Sequence, residues 1–219
     1  MEKADYRIKV QAQPVALFET PVAYATVTQA EALSRDLLAA IDLRRSQNPG
    51  IKRSNEGGWH SDTEMLQWGG AAAQKLADTA IGVAKKMSHF EGAGVEDFDW
   101  QASMWANVTE AGGLNSLHAH PGNLWAAVYY LDLGRQADGE PDSGGNFYLE
   151  DPRFPLAAMH NPGFRLLDGQ GRPQQVQTQL KLSEGNMIVF PAWLRHGVQV
   201  YRGGKQRISI AINIDAIPR

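Results

Sequence analysis

Ile208-Ser209-Ile210-Ala211-Ile212-Asn213-Ile214 sets an isoleucine at every second position, with small or polar residues between. Side chains of an extended chain point to alternate faces, so this stretch predicts a β-strand with one face in a core. Working back from it, short runs rich in β-branched and aromatic residues recur at 100–108, 124–133, 145–149, 176–182, 187–190 and 197–201. Gly, Pro, Asn and Asp separate them, and no helical period lies between. Short strands in unbroken succession predict a sandwich or jelly roll and argue against a parallel α/β sheet. Two polar or Gly/Pro-rich loops, 134–145 and 154–172, interrupt the series, and long loops in compact domains often carry function.

The first half reads differently. Residues 15–27 are apolar and β-branched with Pro21 inside, as in an edge strand or a bulge. Thr28-Gln29-Ala30-Glu31 has the form of a capping box that opens a helix. Leu33, Leu37, Leu38 and Ile41 follow at helical spacing, and Asn48-Pro49-Gly50 ends the run. The polar stretch 54–61 reads as a loop. A second helix is expected over 71–87, with Leu76, Ala80, Ile81 and Val83 buried. The expected organisation is one domain over 1–219: a strand and helical support in 1–97, and a β core in 98–219.

The 219 residues include no cysteine, so disulfides, thiol nucleophiles and Cys-ligated metals are excluded. Any metal must be held by His and carboxylate. With 21 Lys+Arg against 24 Asp+Glu, the net charge is −3. The pI of 6.1 argues against a general nucleic-acid binder. The opening MEKADYRIKV lacks the apolar core of a signal peptide, and no window approaches a membrane span. The cytoplasm is therefore the expected compartment. No G-x-S-x-G, Walker loop or H-E-x-x-H is present.

Three of the six histidines stand in suggestive places. His118 and His120 are two apart in Leu117-His118-Ala119-His120-Pro121, so on an extended chain both imidazoles face one side. His196 lies far downstream, after Phe190-Pro191-Ala192-Trp193, at the start of a strand. Arg207 opens the last strand with Ser209 on the same side. Imidazole suits iron, zinc, copper and nickel. Taken singly, Arg207 reads as a surface ion-pair former, His60 as a solvated loop side chain, and His89 as a cation at a helix C-terminus.

Taken together, these residues resemble the non-haem iron(II), 2-oxoglutarate-dependent oxygenases, and within them a bacterial and phage branch of unassigned substrate. The likeness is carried by Leu17-Phe18-Glu19-Thr20-Pro21-Val22, Ser54-Asn55-Glu56-Gly57-Gly58-Trp59-His60-Ser61, Trp105-Ala106-Asn107-Val108, His118-Ala119-His120-Pro121, Val128-Tyr129-Tyr130-Leu131, Glu150-Asp151-Pro152-Arg153, Gly185-Asn186-Met187-Ile188-Val189-Phe190-Pro191 and Arg207-Ile208-Ser209. It implies a mainly β fold with supporting helices: a double-stranded β-helix, the cupin-like jelly roll. It implies iron(II) and 2-oxoglutarate as cofactors. His118 resembles the first ligand of the facial triad and His196 the distal one. Arg207 resembles the cation that receives the far carboxylate of 2-oxoglutarate, with Ser209 as hydroxyl partner. A guanidinium suits that task because two parallel hydrogen bonds fix the direction of a carboxylate.

The common triad has a carboxylate where this chain has His120. Three completions are open: His120 ligates, Asp151 ligates, or water fills the position. The first is favoured. Trp105, Asn107, Tyr129 and Leu131 are expected near the pocket by strand alternation, with Asn107 or Tyr129 bonding the co-substrate, although the core is the favoured place for Trp105 and Leu131. The substrate is expected to be a small molecule or a peptide, and exposed edge strands allow a homodimer. Two other functions compete: a cupin-type metal dioxygenase that does not use 2-oxoglutarate, and a non-catalytic jelly-roll binding module. Arg207 separates the first of these, because such a dioxygenase needs no deep cation there.

Overall fold

The computed structural model describes residues 9, 11–13, 15, 17–28, 30–135 and 143–219. In chain order the elements are β1 (Ala23–Thr26), α1 (Ala30–Gln47), β2 (Asn55–His60), α2 (Met65–Trp68), α3 (Gly70–Lys86), a 3-10 turn at Val95–Asp97, β3 (Phe98–His118), β4 (Trp125–Asp132), β5 (Phe147–Glu150), α4 (Ala157–His160), β6 (Gln177–Gln179), β7 (Asn186–Pro191), β8 (His196–Val198) and β9 (Arg207–Pro218). The strands form one antiparallel sheet in the order β1-β7-β4-β9-β3-β8-β5-β6, with β2 added on β3.

The isoleucine alternation lies at the centre of this sheet. Ile210 stands opposite Ala106 of β3 on one side and Tyr129 of β4 on the other. Ile208, Ile210, Ile212 and Ile214 share a buried face with Met104, Ala106, Val108, Trp125, Ala127, Tyr129 and Leu131. Helices α1 and α3 cover this face. Helix α3 presents mainly alanine to it: Ala73, Ala77, Ala80 and Ala84 are buried with Leu76, whereas Ile81 and Val83 are only half-buried. Small side chains let the helix axis approach the sheet closely. Replacing the fully buried Ile212 with Ala should cost about 2–5 kcal/mol, read as a lower midpoint in urea unfolding.

The opposite face of β9, carrying Arg207, Ser209 and Ala211, is buried as well. The sheet curls over it because of β3, whose 21 residues serve both halves. Residues Phe98 to Thr109 pair with β9, and Asn115 and His118 pair with β8. The bend falls at Gly112-Gly113. A Cβ on Gly113 would meet the Gly57 carbonyl oxygen at 2.1 Å, so only glycine admits this close approach. Inside the curl lies a second apolar cluster that includes Tyr130, Phe147, Leu149, Phe190 and Leu194.

Several expectations need correction. The strand expected to end at 108 continues to His118, because Gly112-Gly113 bends the chain without ending its pairing. The stretch 54–61 is strand β2 over most of its length, zipped to β3. The early strand shrinks to β1, just past Pro21. The capping box includes Gln29, which lies outside the described residues, as do residues 136–142 of the loop 134–145 and residues 1–8 and 10 of the opening segment. Among the described residues, no helix is long and apolar enough to cross a membrane.

Candidate metal centre

Antiparallel pairing brings the first two candidate ligands together. His118 closes β3 and His196 opens β8, and the two are direct cross-strand partners. Residues paired in this way put their side chains on the same face. His120 follows on the exit from β3, where its backbone N–H donates to the Ala192 carbonyl at 2.8 Å. That bond ties the β3–β4 turn to the segment that leads into His196.

Each of the three imidazoles has a ring nitrogen within 4.8 Å of a ring nitrogen on each of the others. The Nε2 atoms of His120 and His196 are 3.2 Å apart. With metal–nitrogen bonds near 2.1 Å, two ligands at a right angle stand about 3.0 Å apart, so this spacing suits adjacent positions on one ion. Nδ1 of His118 donates to the Ser116 carbonyl at 2.7 Å, and Nδ1 of His196 to the Leu194 carbonyl at 2.9 Å. A carbonyl only accepts, so these bonds place the proton on Nδ1 and leave the Nε2 lone pair facing the cluster. Backbone partners of this kind orient metal-ligating histidines generally.

Burial keeps the cluster neutral. It pulls the His120 imidazole down to about 4 and His196 to about 3, assisted by the neighbouring His118; His118 itself is lowered by burial. These groups titrate near 6.5 in the unfolded chain, so below that pH the unfolded state binds more protons than the folded one. Through these groups the metal-free protein should hold its melting temperature from about pH 7 to 8 and lose stability from about pH 6.5 down towards 4. A scan of melting temperature against pH checks this, and a flat profile between pH 7 and 5 would contradict it.

A narrow cavity of about 40 Å³ runs from the histidines to Arg207. Trp105, Asn107, Val128, Tyr130, Phe147, Ser209 and Ala211 line it, with Ser54 and Asn115 at the β2–β3 side. Arg207 is 1% exposed, which corrects its reading as a surface ion-pair former. Its Nη1 donates to Ser209 Oγ at 3.5 Å, and its Cζ lies 5.4 Å from the centroid of the Tyr130 ring. Arg207 Nε, the Tyr130 hydroxyl and Asn107 Oδ1 are buried without a hydrogen-bond partner. Among the described residues no carboxylate pairs with Arg207. A fixed buried cation with an orphan donor, next to an orphan hydroxyl, is suited to receive an anion such as a carboxylate.

Of the expected pocket residues, Asn107 and Trp105 are here. Tyr129 and Leu131 are not: they lie on the helix-covered face, where the Tyr129 hydroxyl bonds Ser34 Oγ at 2.9 Å. The register sets Tyr129 beside Ile210 and Tyr130 beside Ser209, so Tyr130 faces the cavity. Asp151 is not gathered with the histidines. Its carboxylate is taken by Arg153, which donates from Nε at 2.8 Å. His60, read as a solvated loop side chain, is buried on β2 and stacks on Trp105 at 5.7 Å, and Trp105 stands against His120.

The model of the family described as "Putative 2OG-Fe(II) oxygenase" matches residues 103–213, just over half of the chain, a span that includes His118, His120, His196 and Arg207. Solved structures share the fold. A Pseudomonas putida prolyl-4-hydroxylase superposes with a TM-score of 0.56 at 16% identity, over 90% of this chain and 92% of that one. A Trichoplax adhaerens prolyl hydroxylase, in complex with a hypoxia inducible factor peptide fragment, gives 0.59 at 12% over 89% and 83%. HygX from Streptomyces hygroscopicus, with nickel, 2-oxoglutarate and hygromycin B bound, gives 0.59 at 12% over 90% and 83%. No curated protein matches the sequence. The curled sheet is thus the jelly roll of these enzymes, with helices on one face. The chain belongs to the 2OG-Fe(II) oxygenase family and is an iron(II)- and 2-oxoglutarate-dependent oxygenase.

Proposed function

We propose that His118, His120 and His196 together hold the iron through Nε2, and that Arg207, with Ser209 and the Tyr130 hydroxyl, receives the far carboxylate of 2-oxoglutarate. One observation carries this reading: a neutral three-imidazole cluster and a buried guanidinium, with no carboxylate partner among the described residues and its Nε free of hydrogen bonds, line the same cavity. Bound together, iron and 2-oxoglutarate supply the oxidising power, with O₂ consumed and 2-oxoglutarate decarboxylated to succinate.

The chain's own residues contribute position and exclusion of water. The Ser116 and Leu194 carbonyls keep His118 and His196 in the ligating tautomer. Arg207 sets the direction of the co-substrate, and Tyr130 donates from its hydroxyl to the same carboxylate. Asn107 offers an amide to the co-substrate across the cavity. Trp105, Val128 and Phe147 keep the space narrow and largely apolar, which strengthens every charge interaction inside it. The whole chain acts as one unit, since the helices that cover one face of the sheet brace the strands that carry the site on the other. The substrate is a small molecule or a peptide, the two classes seen with HygX and the Trichoplax hydroxylase.

Succinate release on addition of iron(II) and 2-oxoglutarate tests the reading, together with a rise in melting temperature when manganese(II) and 2-oxoglutarate are both present. An iron-loaded protein that neither binds nor consumes 2-oxoglutarate would point instead to a cupin-type dioxygenase, and absence of any metal response to a binding module.

A further inference from the structure

We infer that the substrate is an anion, which brings a carboxylate or phosphate group into the cavity beside the three histidines. This rests on the assignment of those histidines to iron and of Arg207 to 2-oxoglutarate.

Charge in the loaded site does not balance without an anion. The three imidazoles are neutral and contribute nothing. A divalent iron and Arg207 bring three positive charges, and 2-oxoglutarate returns two negative ones. One positive charge is left in a buried cavity. A facial triad of two histidines and a carboxylate would cancel it, but here His120 occupies the third position. The nearby carboxylates are already committed. Asp151 is paired with Arg153, and Glu150 with Arg195, the residue before His196. An uncompensated charge in a desolvated site is costly, and an incoming anion removes that cost.

The chain leading into the site has the same sign. Lys52 and Arg53 are exposed, and among the described residues neither pairs with a carboxylate. They immediately precede Ser54, which lines the cavity with its Oγ 3.5 Å from His118 Nε2. Arg53 acts by its charge on the buried His60, which stacks on the cavity-lining Trp105. Glu56, the acid nearest in sequence, accepts a hydrogen bond from Ser116 Oγ at 2.8 Å and offsets one of these two charges, which leaves the segment positive. Cations one and two residues before a cavity-lining serine, beside a net-positive cavity, favour the approach of an anion.

The test uses protein loaded with manganese(II) and 2-oxoglutarate. Acetate, methyl phosphate, chloride and neutral acetamide are titrated at constant ionic strength, with occupancy read from water-proton relaxation. Acetate or methyl phosphate should bind at least tenfold tighter than acetamide and chloride. His120→Asp, which supplies the missing negative charge, should weaken that binding at least tenfold while manganese(II) still binds. Arg53→Ala, at an exposed position, should weaken it about threefold without changing 2-oxoglutarate affinity, and it serves if His120→Asp does not fold. Organic anions no tighter than acetamide, or insensitive to both variants, overturn the inference. Chloride tighter than both would assign the charge to a free halide and overturn it equally. Failure of manganese(II) and 2-oxoglutarate to bind the unaltered protein overturns the ligand assignment, and this inference with it.

Discussion

His196→Ala is expected to abolish 2-oxoglutarate turnover and to weaken divalent-metal binding by more than about 100-fold. Loss of a hydrogen bond behind a ligand already costs roughly 10–100-fold in metal affinity, and loss of the ligand itself costs more. His196 is the most buried of the three imidazoles at 3% exposure, and its ring packs edge-on against Phe190 at 4.7 Å. Alanine would also leave a cavity there, so folding must be checked separately. His196→Gln retains much of the volume. It should melt close to the parent without metal, yet show no rise in melting temperature when manganese(II) is added. A metal-dependent rise equal to that of the parent would contradict the ligand role.

Arg207→Met should act in two opposite directions. Truncating one member of a buried, hydrogen-bonded charge pair costs about 2–5 kcal/mol, so 2-oxoglutarate affinity should fall by roughly 30-fold to several thousand-fold. The metal-free protein, however, should melt higher than the parent. Arg207 sits fully buried with Nε unpaired, and burial lowers its proton affinity. An unbranched apolar side chain of similar length relieves that cost. Binding lost while stability rises separates a cation that serves the ligand from one that holds the fold together, for which both would fall. Calorimetric titration of 2-oxoglutarate, alongside a melting curve of the apo protein, reads both signs.

Much of this fold was legible because its central strand obeys a simple period. The isoleucines of 208–214 named a core face correctly. Arg207, which taken singly reads as a surface residue, lies with Ser209 inside the curl, and the two line the cavity. Period alone cannot tell water from a polar cavity. The ends of β3 were illegible for a related reason: Gly112-Gly113 reads locally as a turn, and only the close approach of Gly57 reveals a bend inside a continuing strand.

The site was legible at the residues with distinctive chemistry and not at those set by register. His118, His120, His196 and Arg207 stand out as residue types in a cysteine-free chain, and folding brings them to one cavity. Tyr129 and Tyr130 are chemically identical neighbours. Which of them faces the cavity depends on pairing with Ser209, and nothing in the local sequence carries that parity. His60 was misread because Gly57-Gly58 resembles a loop, whereas a register shift between Glu56 and Gly58 lets β2 continue past it to bury the imidazole.

In the proposed site imidazoles alone hold the metal and Arg207 anchors the co-substrate. An anaerobic crystal structure of the iron(II)- and 2-oxoglutarate-loaded protein tests this directly. Nε2 of His118, His120 and His196 should all bind the iron, and the far carboxylate of 2-oxoglutarate should rest on Arg207 and Tyr130. A carboxylate such as Asp151 on the iron in place of His120, or a co-substrate carboxylate held away from Arg207, would contradict it.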